Sequence, residues 1–209
     1  MNEENVKKIV FVCMGNTCRS PMAEAALRSE MKRLRIENAE VSSAGLKGNG
    51  FPMNENTAKT LINKGLDLNN FSSKTIGEQT FLATAVIGLT EQICEELKKI
   101  RNFGIEVGKL KKGKENVYSF KEIVGYDIPD PYGQGQDAYE ETFLQIERGM
   151  SAIIDKFFVE KAEETPEKPI KTTKKRASVK KSEKTQKTPS KKATTKKTTS
   201  KKTKKNIEN

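Results

Sequence analysis

The segment that most narrows the possible folds is Lys7-Lys8-Ile9-Val10-Phe11-Val12 running directly into Cys13-Met14-Gly15-Asn16-Thr17-Cys18-Arg19-Ser20-Pro21. The first half is a short apolar run rich in β-branched residues, the pattern of a strand buried on both faces. In the second half Ser20 then Pro21 reads as an N-cap followed by the first helical residue, with Glu24 in the first turn. Residues 22–31 are rich in good helix formers. A strand, a tight loop and a helix open an α/β unit.

The rest of the first 160 residues keeps the alternation. Residues 39–43 read as a second strand leading into Ser43-Ala44-Gly45, and residues 56–64 as a helix stopped near Gly65. A third apolar run covers 83–89, a helix follows over 91–101, and a short fourth strand covers 117–120. A Pro/Gly-rich loop, 127–136, precedes a last helix over 138–158. The expected fold is α/β: a three-layer sandwich with a four-stranded, mostly parallel sheet flanked by helices and a phosphate-binding loop after strand one. Right-handed crossovers put helices on both faces.

Charge divides the chain in two. Its net +11 hides a body, residues 1–160, at −2 and a tail, residues 161–209, at +13. The tail has no aromatic residue and few apolar ones, too little to offset the entropy of ordering it, so it is expected to be a disordered basic extension. Residues 160–171, with Pro166 and Pro169, read as the linker. Two roles stay open for the tail: a solubilising extension, or nonspecific contact with nucleic acid or another polyanion through counterion release.

Histidine is absent and there are three cysteines. That excludes Ser-His-Asp triads, Cys-His dyads and His-ligated metal sites. An odd cysteine count in a domain of this size does not form a disulfide framework. No apolar run approaches the ~18 residues of a membrane span, and the start Met-Asn-Glu-Glu-Asn lacks the basic region of a secretory signal. The expectation is a cytoplasmic protein with reduced thiols and no membrane contact.

The loop from Cys13 to Arg19 carries the chemistry. A helix start presents unpaired N–H groups and the positive end of a dipole. A short loop there, with Gly15 free to take unusual dihedrals, can curl its amides around a tetrahedral oxyanion. Arg19 adds a two-pronged donor for phosphate oxygens. The same positive surroundings favour the thiolate of Cys13, and Ser20 can donate to its sulfur. Phosphoryl transfer to sulfur also needs an acid for the leaving group. Asp130, held between Pro129 and Pro131, is the candidate, with Asp127 as an alternative.

These residues resemble a known family. Val12-Cys13-Met14-Gly15-Asn16-Thr17-Cys18-Arg19-Ser20-Pro21-Met22-Ala23-Glu24, with Ser42-Ser43-Ala44-Gly45 and Asp130-Pro131-Tyr132, is similar to the low-molecular-weight protein tyrosine phosphatases over roughly residues 6–158. The resemblance implies phosphomonoester hydrolysis with neither metal nor cofactor, acting on phosphorylated proteins. It implies Cys13 as nucleophile, Arg19 as phosphate clamp, and Asp130 as acid and then base. Met14, Gly15, Asn16, Thr17, Cys18 and Ser20 form the phosphate-binding loop. Ser20 supports the thiolate, Asn16 holds the loop's shape, Ser43 supports Asn16, and Tyr132 walls the pocket. Thr84 and Leu89 depart from the family's usual Asp and Met on the third strand.

Thr17 stands where tyrosine-directed members carry a larger aliphatic residue. Threonine there, with Asp-Pro-aromatic-Gly, resembles the protein arginine phosphatase branch. The resemblance therefore favours phosphoarginine over phosphotyrosine. Cys18 either packs the loop or acts as a resolving thiol for Cys13 under oxidation. Cys94 reads as core. Arsenate reduction on the same loop lacks the extra cysteine pair it needs. A non-catalytic phosphate-binding module with a polyanion-binding tail is the remaining alternative.

Overall fold

The computed structural model describes residues 6–159; residues 1–5 and 160–209, and with them the expected disordered tail, its linker and the boundary at 160, lie outside the described residues. Four strands, β1 (Lys7–Cys13), β2 (Ala39–Gly45), β3 (Ala85–Gly88) and β4 (Val117–Ser119), form a sheet in the order β2-β1-β3-β4. All three pairings are parallel. Six helices surround it: α1 (Arg19–Leu34), α2 (Glu55–Asn63), α3 (Glu91–Glu106), α4 (Phe120–Val124), α5 (Gln136–Arg148) and α6 (Met150–Phe157).

β1 lies inside the sheet, which explains its unbroken apolar run. Ile9 and Phe11 pack on one face with Met22, Leu27, Phe143 and Ile146, from α1 and α5. Val10 and Val12 pack on the other with Ile93, Cys94 and Leu97 from α3. Burial on both faces removes any advantage of polar alternation. The register sets Cys13 beside Gly45, and Val12 beside Gly88. The ends of three parallel strands thus converge at the carboxyl edge, where α/β sheets place their ligands.

Several boundaries differ from the sequence expectation. α1 begins at Arg19 with Cys18 at the cap position, so Ser20 is inside the helix rather than capping it. Pro21 is tolerated there because its missing N–H falls among the unpaired donors of the first turns. Glu24 lies two residues deeper in the helix than expected, beyond its first turn, and is buried. α2 is capped by the Asn54 side chain, which accepts from Asn56 N at 2.9 Å. The third strand shortens to 85–88, preceded by a 3-10 turn over Glu78–Leu82. β4 passes into α4, a helix the sequence reading missed, through a Ser119 cap on Glu122 N. The long last helix is broken at Gly149. A Cβ at that glycine would stand 2.5 Å from Cζ of Phe120, so any other residue there would force the Phe120 ring or the backbone to shift.

Candidate active site

Cys13 ends β1 and is almost fully buried, at 3% exposure. Its Sγ lies 3.1 Å from Ser20 Oγ, and Asn16 N donates to it at 3.3 Å. Among the described residues, no hydrogen bond engages the amides of Met14, Gly15, Thr17 or Cys18. Free amides at the start of a helix form a natural seat for an oxyanion.

The residue that bends the loop is not Gly15 but Asn16, which takes the left-handed conformation at φ 55°. Asparagine tolerates this region better than most residues. Here it is also held by every arm of its side chain. Asn16 Nδ2 donates to Ser20 Oγ at 3.0 Å and to Ser43 Oγ at 2.9 Å, while Oδ1 accepts from Lys74 N at 2.8 Å. Ser43 and Asn16 are thus directly hydrogen-bonded. Gly45 allows β2 to pass beneath the loop: a Cβ there would stand 2.8–2.9 Å from Asn16 N, Gly15 C and Met14 O.

Glu24, which the sequence marks only as a first-turn acid of the helix, extends this network. Its Oε2 accepts from Ser43 Oγ at 2.6 Å, and its Oε1 pairs with Arg28 Nη2 at 2.5 Å. Burial raises its carboxyl above the ordinary value; the Ser43 hydrogen bond and the charges of Arg28 and Lys74 pull the other way. A continuous chain of contacts thus runs Glu24, Ser43, Asn16, Ser20, Cys13. Only the helical spacing of Glu24 from Arg28 hinted at it, and that spacing is common on exposed helix faces.

The acid loop docks opposite. Ile128 is fully buried, its N donates to Leu89 O at 3.0 Å, and its carbonyl accepts from Arg19 Nη1 at 3.3 Å. Arg19 Nη2 pairs with Asp130 Oδ2 at 2.5 Å, and Asp130 Oδ1 accepts from Tyr132 N at 3.2 Å. Arg19 Nε is buried without a partner among the described residues. Asp127, the alternative acid, instead accepts from Glu91 N and caps the start of α3. Cys13, Met14, Gly15, Thr17, Cys18, Arg19, Asp130 and Tyr132 line a single cavity of about 220 Å³. Asn16, Ser20 and Ser43 stand behind it as buried supports rather than as lining.

Cys18 Sγ lies 3.6 Å from Thr17 Oγ1 and 3.7 Å from Tyr139 Oη. Burial, and then the neighbouring Cys18, hold the Tyr139 phenol well above its usual range. Tyr139 was another residue the sequence reading missed, because a helical tyrosine at core spacing carries no chemical signal of its own. Cys94 packs on the opposite face of the sheet, as expected of core.

A parallel sheet whose central strand delivers a cysteine to a loop of free amides, facing an arginine and a carboxylate, defines the class: a cysteine-dependent phosphatase of α/β fold. Residues 8–164 match the family model described as low molecular weight phosphotyrosine protein phosphatase, and the chain belongs to that family. It is 34% identical over 146 residues to a protein-arginine-phosphatase of Bacillus subtilis (strain 168), covering 66% of this chain and 89% of that relative. It is 30% identical over 126 residues to the low molecular weight protein-tyrosine-phosphatase PtpA of Staphylococcus aureus (strain MRSA252), covering 59% and 77%. Among solved structures it resembles the arginine phosphatase YwlE, in a mutant with a phosphorylated active-site serine, at TM-score 0.62 and 28% identity, covering 71% of this chain and 94% of that one.

Proposed function

We propose that this protein hydrolyses phosphorylated side chains of proteins, phosphoarginine ahead of phosphotyrosine, through a phosphocysteine on Cys13. The observation that carries the reading is the meeting of Cys13, Arg19 and Asp130 in one cavity. Phosphate enters over the free loop amides, and Arg19 turns from Asp130 to two phosphate oxygens. The Cys13 thiolate, accepting a hydrogen bond from Ser20 Oγ as that hydroxyl turns from Ala44 O, attacks phosphorus. The bond to the departing nitrogen or oxygen breaks as Asp130 gives that atom its proton. Asp130, now a carboxylate, then takes a proton from the water that attacks the phosphocysteine. Inorganic phosphate leaves and the thiolate returns. A phosphorylated active-site serine in the YwlE mutant supports a phospho-nucleophile at this position.

Two observations favour phosphoarginine. Thr17 lines the cavity and brings a hydroxyl that can bond polar substrate atoms where a methyl cannot, and a relative of 34% identity is named a protein-arginine-phosphatase. The test is turnover of phosphoarginine and phosphotyrosine peptides, and of p-nitrophenyl phosphate, without metal, by wild type and Cys13→Ser. Phosphoarginine turnover that is faster, and abolished in Cys13→Ser, is expected. A large phosphotyrosine preference reverses the order of substrates, and an inactive wild type ends the enzyme reading.

Three further assignments belong to the same proposal. Residues 1–160 form the catalytic domain and 161–209 a separate basic tail, which engages polyanions through its charge; a 1–160 truncation that matches the full chain in gel shift at low salt would end that role. Cys18 resolves an oxidised Cys13 as a disulfide. A cytoplasmic location is the third, supported by the cysteine usage. No described helix is long and apolar enough to cross a membrane.

A further inference from the structure

α2 links the phosphate loop to the far end of the loop that carries Asp130 and Tyr132. At its cap, Asn54 N donates to Thr17 O at 3.0 Å, fixing the phosphate loop. Further along, Thr60 Oγ1 donates to Asn56 O at 2.8 Å and accepts from Gln136 Nε2 at 2.8 Å. Gln136 Nε2 also reaches Asn56 O at 3.4 Å, and Asn56 Nδ2 reaches Gln134 O at 3.5 Å. Gln136 opens α5, at the far end of the loop that carries Asp130 and Tyr132.

The near end of that loop is pinned by Ile128 and Arg19. Between the two ends Gln134 closes the turn, donating from Nε2 to Asp130 O at 2.8 Å and from its backbone N to Pro131 O at 3.0 Å. Tyr132 itself is 72% exposed. Side-chain packing therefore does little to hold it, and its position follows from the backbone anchors on either side. Thr60 is fully buried, so its hydroxyl has little choice of partner. Gln136 leaves Oε1 buried without a partner among the described residues. A residue kept only for stability is poorly served by such a group, since an apolar side chain of similar size would avoid the loss.

We propose that Thr60 and Gln136 are positioning residues that set the width of the substrate slot between Thr17 and Tyr132, and so the side chain accepted there. The inference rests on the phosphatase reading above. A small ester engages chiefly the phosphate loop, whereas a phosphorylated peptide also meets Tyr132. The brace therefore acts on the second more than on the first.

The test compares Thr60→Val, which removes the hydroxyl at nearly constant shape, with Thr60→Ser, which keeps it, and with Gln136→Leu. Thr60→Val and Gln136→Leu are expected to raise KM for phosphoarginine and phosphotyrosine peptides about fivefold and to change the ratio of their kcat/KM at least threefold. The kcat for p-nitrophenyl phosphate stays within twofold of wild type, and Thr60→Ser behaves as wild type. Hydrogen exchange over residues 130–136 reads the brace without turnover: faster in Thr60→Val, unchanged in Thr60→Ser. Equal loss on all substrates, an unchanged ratio, or unchanged exchange overturns the proposal. A wild type inactive on every substrate fails the phosphatase reading instead, and the exchange measurement still decides the brace.

Discussion

Arg19 Nη2 donates to Asp130 Oδ2 at 2.5 Å, tying the first turn of α1 to a loop 111 residues away in the chain. The arginine is nearly buried and the carboxylate about half exposed. On the proposed mechanism, phosphate competes with Asp130 for the same guanidinium, and the proposed acid stands beside the incoming leaving group from the outset.

Asp130→Asn keeps the size and the acceptor oxygen but removes the proton to be donated. General acid catalysis contributes about 10²–10⁴ in rate. The kcat is expected to fall within that range for a poor leaving group such as phenyl phosphate and less for p-nitrophenyl phosphate, whose leaving group needs little protonation. Equal losses on the two esters would contradict the assigned role.

Asn16 makes three side-chain hydrogen bonds from a left-handed backbone. At about 1 kcal/mol net for each bond, Asn16→Ala is expected to cost about 3 kcal/mol in urea unfolding. Left-handed strain adds about 1 kcal/mol for alanine, and Asn16→Gly should escape that part. Ser43→Ala, which breaks the same chain further from the sulfur, should cost less than either.

Gly45→Ala places a methyl against the backbone of residues 14–16 from below. The loop must shift, and a displacement of about 1 Å in a reacting geometry costs about 10² in rate. The expected result is a kcat lowered about a hundredfold in a protein that still unfolds cooperatively, as read by steady-state kinetics alongside thermal melting.

Glu24 predicts a pH dependence of stability. Its carboxyl is raised in the folded protein by burial, so between the unfolded value near 4.5 and the higher folded value the native state holds more protons than the unfolded one. Stability from this group is therefore lost as pH rises through that window and regained on acidification. Urea unfolding of wild type and Glu24→Gln across pH 4.5–7.5 should show the wild type gaining on the variant as pH falls; parallel curves would remove Glu24 as the titrating group.

If Cys18 resolves Cys13 as proposed, wild type under hydrogen peroxide should lose activity and recover it with dithiothreitol, since the Cys18 thiol would condense with the sulfenic acid of Cys13 to a disulfide with loss of water. Cys18→Ser should lose activity irreversibly as oxidation proceeds to the sulfinate. Mass spectrometry of the 13–18 peptide distinguishes the two products.

The sequence by itself determined a buried first strand and the loop after it, and picked out the carboxylate that lines the same cavity. Ile9–Val12 is apolar without alternation because both faces are covered. Cys13, Arg19 and Asp130 are residue types whose chemistry limits where they are useful, so their spacing was informative. Helix ends were less legible. Ser20 has the composition of a cap, but its hydroxyl is drawn inward by Asn16, Ala44 and the Cys13 sulfur. The expected single helix over 138–158 divides at Gly149, a residue tolerated inside helices and so a weak stop signal, where the chain passes close to the Phe120 ring.

Only the tertiary structure decided which polar residues act together. Glu24, Ser43 and Asn16 lie on α1, β2 and the phosphate loop, and Thr17 and Gln136 meet only through α2. Each is an ordinary residue locally. Packing removes water from their side chains, and a buried polar group must then find its partner within the fold, whatever its distance along the chain.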